Sequence, residues 1–115
     1  MAHEKMTVWQ VSEQSAVGRL ARFFPEASPV RIPVTVSRNA GGQVESEETV
    51  IEFGTPREAL FACQLPLEFA DKIHLQNADG TLAVEARVVA LQYHGRQAAV
   101  AARFVRDLPH WVVKV

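Results

Sequence analysis

One cysteine, one tyrosine and no surplus of either charge leave the chain short of most residues that announce chemistry. A lone Cys63 can close no internal disulfide and cannot build a cysteine-based metal site. It stands in the apolar run Leu60-Phe61-Ala62-Cys63, which reads as a buried thiol. Lys and Arg total 12 against 13 Asp and Glu, a net charge of −1, so no field exists to draw in a phosphate backbone and nucleic acid is not an expected partner. No apolar run approaches the ~18 residues of a membrane-spanning helix. The first residues also lack the apolar core of a secretion signal. The expectation is a reduced, cytoplasmic protein that does not span a membrane.

Catalytic signatures are missing as well. Gly41-Gly42 is followed by neither a helix nor a Lys-Ser/Thr pair, so it is no phosphate loop, and no Gly-x-Ser-x-Gly elbow occurs. His3, His74, His94 and His110 stand alone, without the H-x-x-x-H spacing that converges on a metal. Glu45, Glu47, Glu48, Glu52 and Glu58 read as a solvated rim. The expectation is therefore no catalytic residue, no metal and no enzyme.

What is present is alternation. Leu82, Val84, Ala86, Val88 and Ala90 recur at every second position. After a turn at His94-Gly95-Arg96, Ala98, Val100, Ala102 and Phe104 do the same. This pattern predicts a long antiparallel hairpin with one face buried. Small inward alanines suit a tightly curved sheet, and the reading is a closed β-barrel. Earlier segments supply the other walls: Arg31 to Arg38, Gln43 to Phe53, Glu58 to Gln64 and Asp71 to Asn77. Pro33 marks the first of these as an edge strand or stands near its start; an exposed edge there would be open to pairing with a second copy. Before them Ser12 reads as an N-cap, with Val17, Leu20, Phe23 and Phe24 on one helical face and Pro25 as the stop. Trp111 must dock on the barrel or expose a large ring.

The basic residues give the one functional hint. Arg19 and Arg22 share a face of the helix, Arg31 opens the first strand, and Arg57 sits in the break before the third. Guanidinium groups are planar and bidentate, so four of them at one barrel mouth would make an anion pocket.

The order of parts now matters: an arginine-bearing arm, Arg31-Ile32-Pro33-Val34-Thr35-Val36, a Gly turn, Thr49-Val50-Ile51, a polar break, Ala59-Leu60-Phe61, Asp71-Lys72-Ile73-His74-Leu75, Ala86-Arg87-Val88-Val89 and Ala102-Arg103-Phe104. Over residues 30–106 this arrangement resembles the PilZ domain family, whose members are six-stranded barrels that commonly bind the bacterial second messenger cyclic di-GMP. The resemblance implies a mainly β protein. A six-stranded antiparallel PilZ-like barrel (30–106) would follow an arm with a short helix (1–29), and a tail (107–115) would pack on the barrel. The family's ligand motifs are broken here. Arg-x-x-x-Arg is replaced by Arg19-Leu20-Ala21-Arg22, one residue too close. Asp/Asn-x-Ser-x-x-Gly falls on Glu52-Phe53-Gly54-Thr55-Pro56-Arg57-Glu58, where neither the Ser nor the final Gly is in place. Arg19, Arg22 and Glu52 are the imperfect counterparts. The implied function is a degenerate, non-enzymatic PilZ-like regulatory module that acts through protein contacts, with Trp9, Phe23, Phe24 and Trp111 as candidate aromatic anchors. The alternative is a cyclic di-GMP effector that clamps phosphate with Arg19, Arg22, Arg31 and Arg57.

Overall fold

In the computed structural model, which describes residues 15–108 and 111, a short helix precedes six strands. These are α1 (Ala16–Ala21), β1 (Ser28–Ala40), β2 (Gln43–Gly54), β3 (Glu58–Cys63), β4 (Lys72–Asn77), β5 (Ala83–His94) and β6 (Gln97–Phe104). The strands close into a barrel in the order β1-β2-β3-β6-β5-β4, every neighbour antiparallel. The described residues thus form a mainly β, six-stranded antiparallel barrel with one short helix. Trp9 and Ser12 lie outside the described residues, as do His3 and His110.

Alternation holds where the strand is regular. Val84, Ala86 and Val88 are buried and their neighbours Glu85 and Arg87 are exposed. It fails at a bulge: Val88 pairs with Ala102, but Ala90 pairs with Ala101. The extra residue, Val89, reverses the phase. Ala90, expected inward, therefore turns outward into a cluster beneath α1, while Leu91 turns back to the barrel core.

That outer cluster is what the alternating pattern does not show. β6 is buried on both faces. Ala98, Val100, Ala102 and Phe104 fill the barrel interior. Ala99 and Ala101, with Leu60 of β3, are covered from outside by Val17 and Leu20 of α1. Alanines suit the second role because a helix can approach a sheet closely only over small side chains.

The Ser12 expected as N-cap lies outside the described residues, and the described helix is capped by a different serine. Ser15 is the N-cap, its Oγ accepting from the Gly18 amide at 3.0 Å. It ends with Arg22 as C-cap, so Pro25 is not the stop; Phe24 packs partly against the outer cluster and Phe23 is 74% exposed. Nor is β1 an edge strand. Val34 to Ser37 pair with β4 as well as with β2. Pro33 stands one residue beyond the β4 pairing, where no second ladder asks for its missing N–H. The predicted edge for a second copy is consequently closed over this span.

β2 and β3 pair only at Ile51, Phe53 and Gly54. Beyond them side chains hold the walls together. Thr49 Oγ1 donates to the Ala62 carbonyl at 2.6 Å, and Glu47 Oε1 accepts from the Gln64 and Leu65 amides at 2.8 and 3.0 Å. Glu47, expected to be solvated rim, is a structural strut. Leu67 plugs this region, fully buried. At another end of the barrel Trp111 docks, its indole N–H donating to the Thr55 carbonyl at 2.7 Å and its ring meeting Phe104 edge-on with centroids 5.2 Å apart. Cys63 is buried, and burial pushes its thiol up to about 11, as expected for an inert sulfur. Among the described residues, no helix is long and apolar enough to cross a membrane.

Candidate functional site

The segment Glu52 to Glu58 begins on an irregularity. Register slips in both ladders that flank Glu52: Ile32 pairs with Ile51 and Pro29 with Phe53 on one side, Phe61 with Ile51 and Leu60 with Phe53 on the other. Glu52 is left unopposed, half-buried at the foot of α1. Ser15 Oγ donates to its Oε1 at 3.2 Å while accepting from Gly18, so one hydroxyl joins helix cap and strand. Burial raises the Glu52 pKa above its ordinary 4.5, against smaller lowering effects from the Ser15 hydrogen bond and the Arg31 charge.

The sign of that shift has a consequence. The fold favours the neutral acid, so stability drawn from Glu52 is full below pH 4.5 and is lost as pH rises through the raised value. Glu52→Gln keeps an acceptor for Ser15 and carries no charge. The variant is expected to melt higher than the parent at neutral pH, with the gap closing below pH 4.5. Thermal unfolding across a pH series checks this, and an offset independent of pH would contradict it.

The far end of the segment is a self-satisfied knot. Thr55 Oγ1 donates to Glu58 Oε1 at 2.5 Å and accepts from the Arg57 and Glu58 amides at 2.9 and 2.8 Å. Glu58 Oε2 accepts from Arg103 Nε and Nη2 at 2.9 and 2.7 Å. Thr55 and Glu58 are the polar residues buried in the barrel, and no described buried side-chain N or O atom lacks a partner. At the positions where the resemblance places a ligand-binding motif, the polar atoms of Thr55 and Glu58 are committed to the protein itself.

Between α1 and the β5–β6 turn lies a cleft of about 540 Å³. Its lining includes Ser15 at the cap of α1, Arg19 of α1, Glu52 of β2, Ala62 of β3 and His94, Arg96 and Gln97 around the β5–β6 turn. Of the four arginines singled out from sequence, Arg19 alone lines this cleft. Arg31 is exposed on β1 near enough to Glu52 to act on its charge. Arg22 is exposed at the helix C-cap, and Arg57 is exposed in the Thr55–Glu58 turn, its carbonyl accepting from the Phe104 amide at 2.8 Å. Arg96 was not signalled by sequence because it reads as a turn residue; only the fold brings it into one cleft with Arg19. Arg103 was missed for a related reason. Its partner Glu58 is distant in sequence, and the one hint is a charge between Ala102 and Phe104.

A shallower depression of about 650 Å³ lies on the outer face of β4, β1 and β2, with Thr35, Glu48, His74 and Gln76 in its lining. His74 Nε2 is 3.4 Å from Gln76 Oε1. Among the described residues, no three His, Cys, Asp or Glu side chains gather where they could hold a metal ion. Scanned against protein-family models and against curated proteins, the sequence matches none.

Proposed function

We propose that the protein is a non-enzymatic, PilZ-like binding or regulatory module of the bacterial cytoplasm that acts through protein contacts. The observation that carries this reading is the committed state of the Glu52–Glu58 segment: Glu52 is hydrogen-bonded to the helix cap, and Thr55, Glu58 and Arg103 bond one another. A dianionic nucleotide placed there would meet two carboxylates and a proline ring, so cyclic di-GMP is not the expected ligand by the usual motifs. A barrel that keeps its shape without its family's ligand residues is suited to presenting a surface. Of the anchors expected from sequence, Phe23 is exposed, and Phe69 and Tyr93 are exposed with it. Phe24 and Trp111 pack against the two apolar clusters, which removes them as free anchors.

The alternative, a cyclic di-GMP effector using Arg19, Arg22, Arg31 and Arg57, is tested by calorimetry. No heat is expected at micromolar protein and ligand in excess; saturable heat abolished by Arg19→Ala would establish the alternative. The protein-contact reading itself is tested with a photo-crosslinking residue at position 23 in a lysate of the source organism. A discrete protein adduct from position 23, absent from a control at Val44 on the opposite hairpin, is the expected result. No adduct from position 23 would overturn the reading.

A further inference from the structure

We propose that the cleft at the barrel end where Trp111 docks binds a small amphiphile, an aliphatic body carrying one anionic head group. This goes beyond the protein-contact reading and does not depend on it. The cleft holds about 560 Å³, the size of a small-molecule site, and the mouths of β-barrels are a common place for such sites. Three of its lining residues, Ile32, Leu108 and Trp111, are only partly buried. Each packs on the barrel core and keeps apolar surface for the cleft that it lines. The Trp111 wall is set in advance. Its indole N–H is held by the Thr55 carbonyl and its ring by Phe104, so no reorganisation precedes the packing of an apolar chain beside it.

The polar side chains of the lining divide in two. Asn77 and Thr81 are spent on their own turn: Asn77 accepts from the Leu82 amide and donates to the Thr81 hydroxyl, which donates to Asp79. Arg106 is not spent. Its side chain is exposed, and among the described residues it makes no hydrogen bond or ion pair. Among the described residues, no acidic side chain lines the cleft to offset it. An arginine can line an apolar cleft with its methylene stem and leave the guanidinium in water. One cation beside apolar walls matches a ligand with a single anion at the end of an apolar body. A sugar or a nucleotide would leave hydroxyls or ring nitrogens unpaired against the same walls.

Trp111 reports on the site directly. The chain has two tryptophans, and Trp9→Phe leaves Trp111 as the one indole emitter. In this full-length protein octanoate is expected to change Trp111 emission saturably, whereas acetate and octylammonium at the same concentration leave it unchanged. Arg106→Glu is expected to weaken octanoate binding by roughly tenfold or more, since it reverses the one charge-assisted contact, and Arg106→Lys to keep most of it. Arg106 is exposed, and an unchanged melting temperature of the variants excludes misfolding as the cause. No saturable response to octanoate, an equal response to octylammonium, or indifference to Arg106→Glu overturns the proposal. Octanoate binding that appears only after residues 112–115 are removed overturns it too, because the cleft then belongs to the chain's own tail. So does a response that vanishes as rising protein concentration forms dimers, which assigns the cleft to a second copy.

Discussion

Phe61→Ala is expected to cost about 3–5 kcal/mol, the range for emptying a large aromatic from a packed core. Phe61 is fully buried on β3, paired with Ile51 on one side and Val100 on the other, so both neighbouring walls lose contacts at once. A barrel cannot collapse into the space as a helix bundle can, because its hydrogen-bonded circumference fixes the diameter. Against a total stability of about 5–15 kcal/mol for a domain, the melting temperature should fall by on the order of 15–25 °C. Leu60→Ala on the adjacent residue is the comparison. Leu60 faces outward beneath α1, and a six-residue helix can settle toward the sheet, so its loss should sit near the lower limit, about 2 kcal/mol. Urea denaturation of both variants checks the ranking; a smaller cost for Phe61→Ala than for Leu60→Ala would mean the barrel interior is not the main core.

Glu58→Ala should be the largest polar effect, about 2–3 kcal/mol. The variant removes the acceptor for the Thr55 hydroxyl, which is 2% exposed and has no water to turn to. It also releases Arg103, whose side chain is 52% exposed and regains solvent, so little of the cost arises there. Arg103→Ala tests the pair from the other direction by leaving the Glu58 carboxylate buried with Thr55 alone. The double variant should cost clearly less than the sum of the two singles, since both remove the same contact. Additive costs, read from denaturation midpoints at neutral pH, would show that Glu58 and Arg103 act independently.

How much of this was legible follows from the physics of each signal. Period-two patterning carries the inward face of a strand wherever the ladder is regular, so Val84, Ala86, Val88, Val100 and Phe104 were readable. A bulge adds one residue without leaving a mark in composition, and Ala90 consequently changed sides. Turn chemistry was legible at His94-Gly95-Arg96, where Gly95 takes φ +66° between β5 and β6. The outer burial of Ala99 and Ala101 depended on where α1 lands, and a six-residue helix with apolar residues on one face does not state its docking site. The cleft beside α1 was hidden for the same reason. Its lining comes from residues far apart in sequence: Arg19 drew notice for a motif it nearly fits, whereas the structure places it in one cleft with Arg96.

The ring is joined unevenly. β5 and β6 meet along most of their lengths, but β2 and β3 are joined through three residue pairs, Ile51–Phe61, Phe53–Leu60 and Gly54–Ala59, interrupted by a register shift. A hoop strained from any direction parts at its shortest weld. Thermal fluctuation should therefore unzip the cylinder along that line into a curled six-stranded ribbon, still carrying its helix, before any other wall gives way.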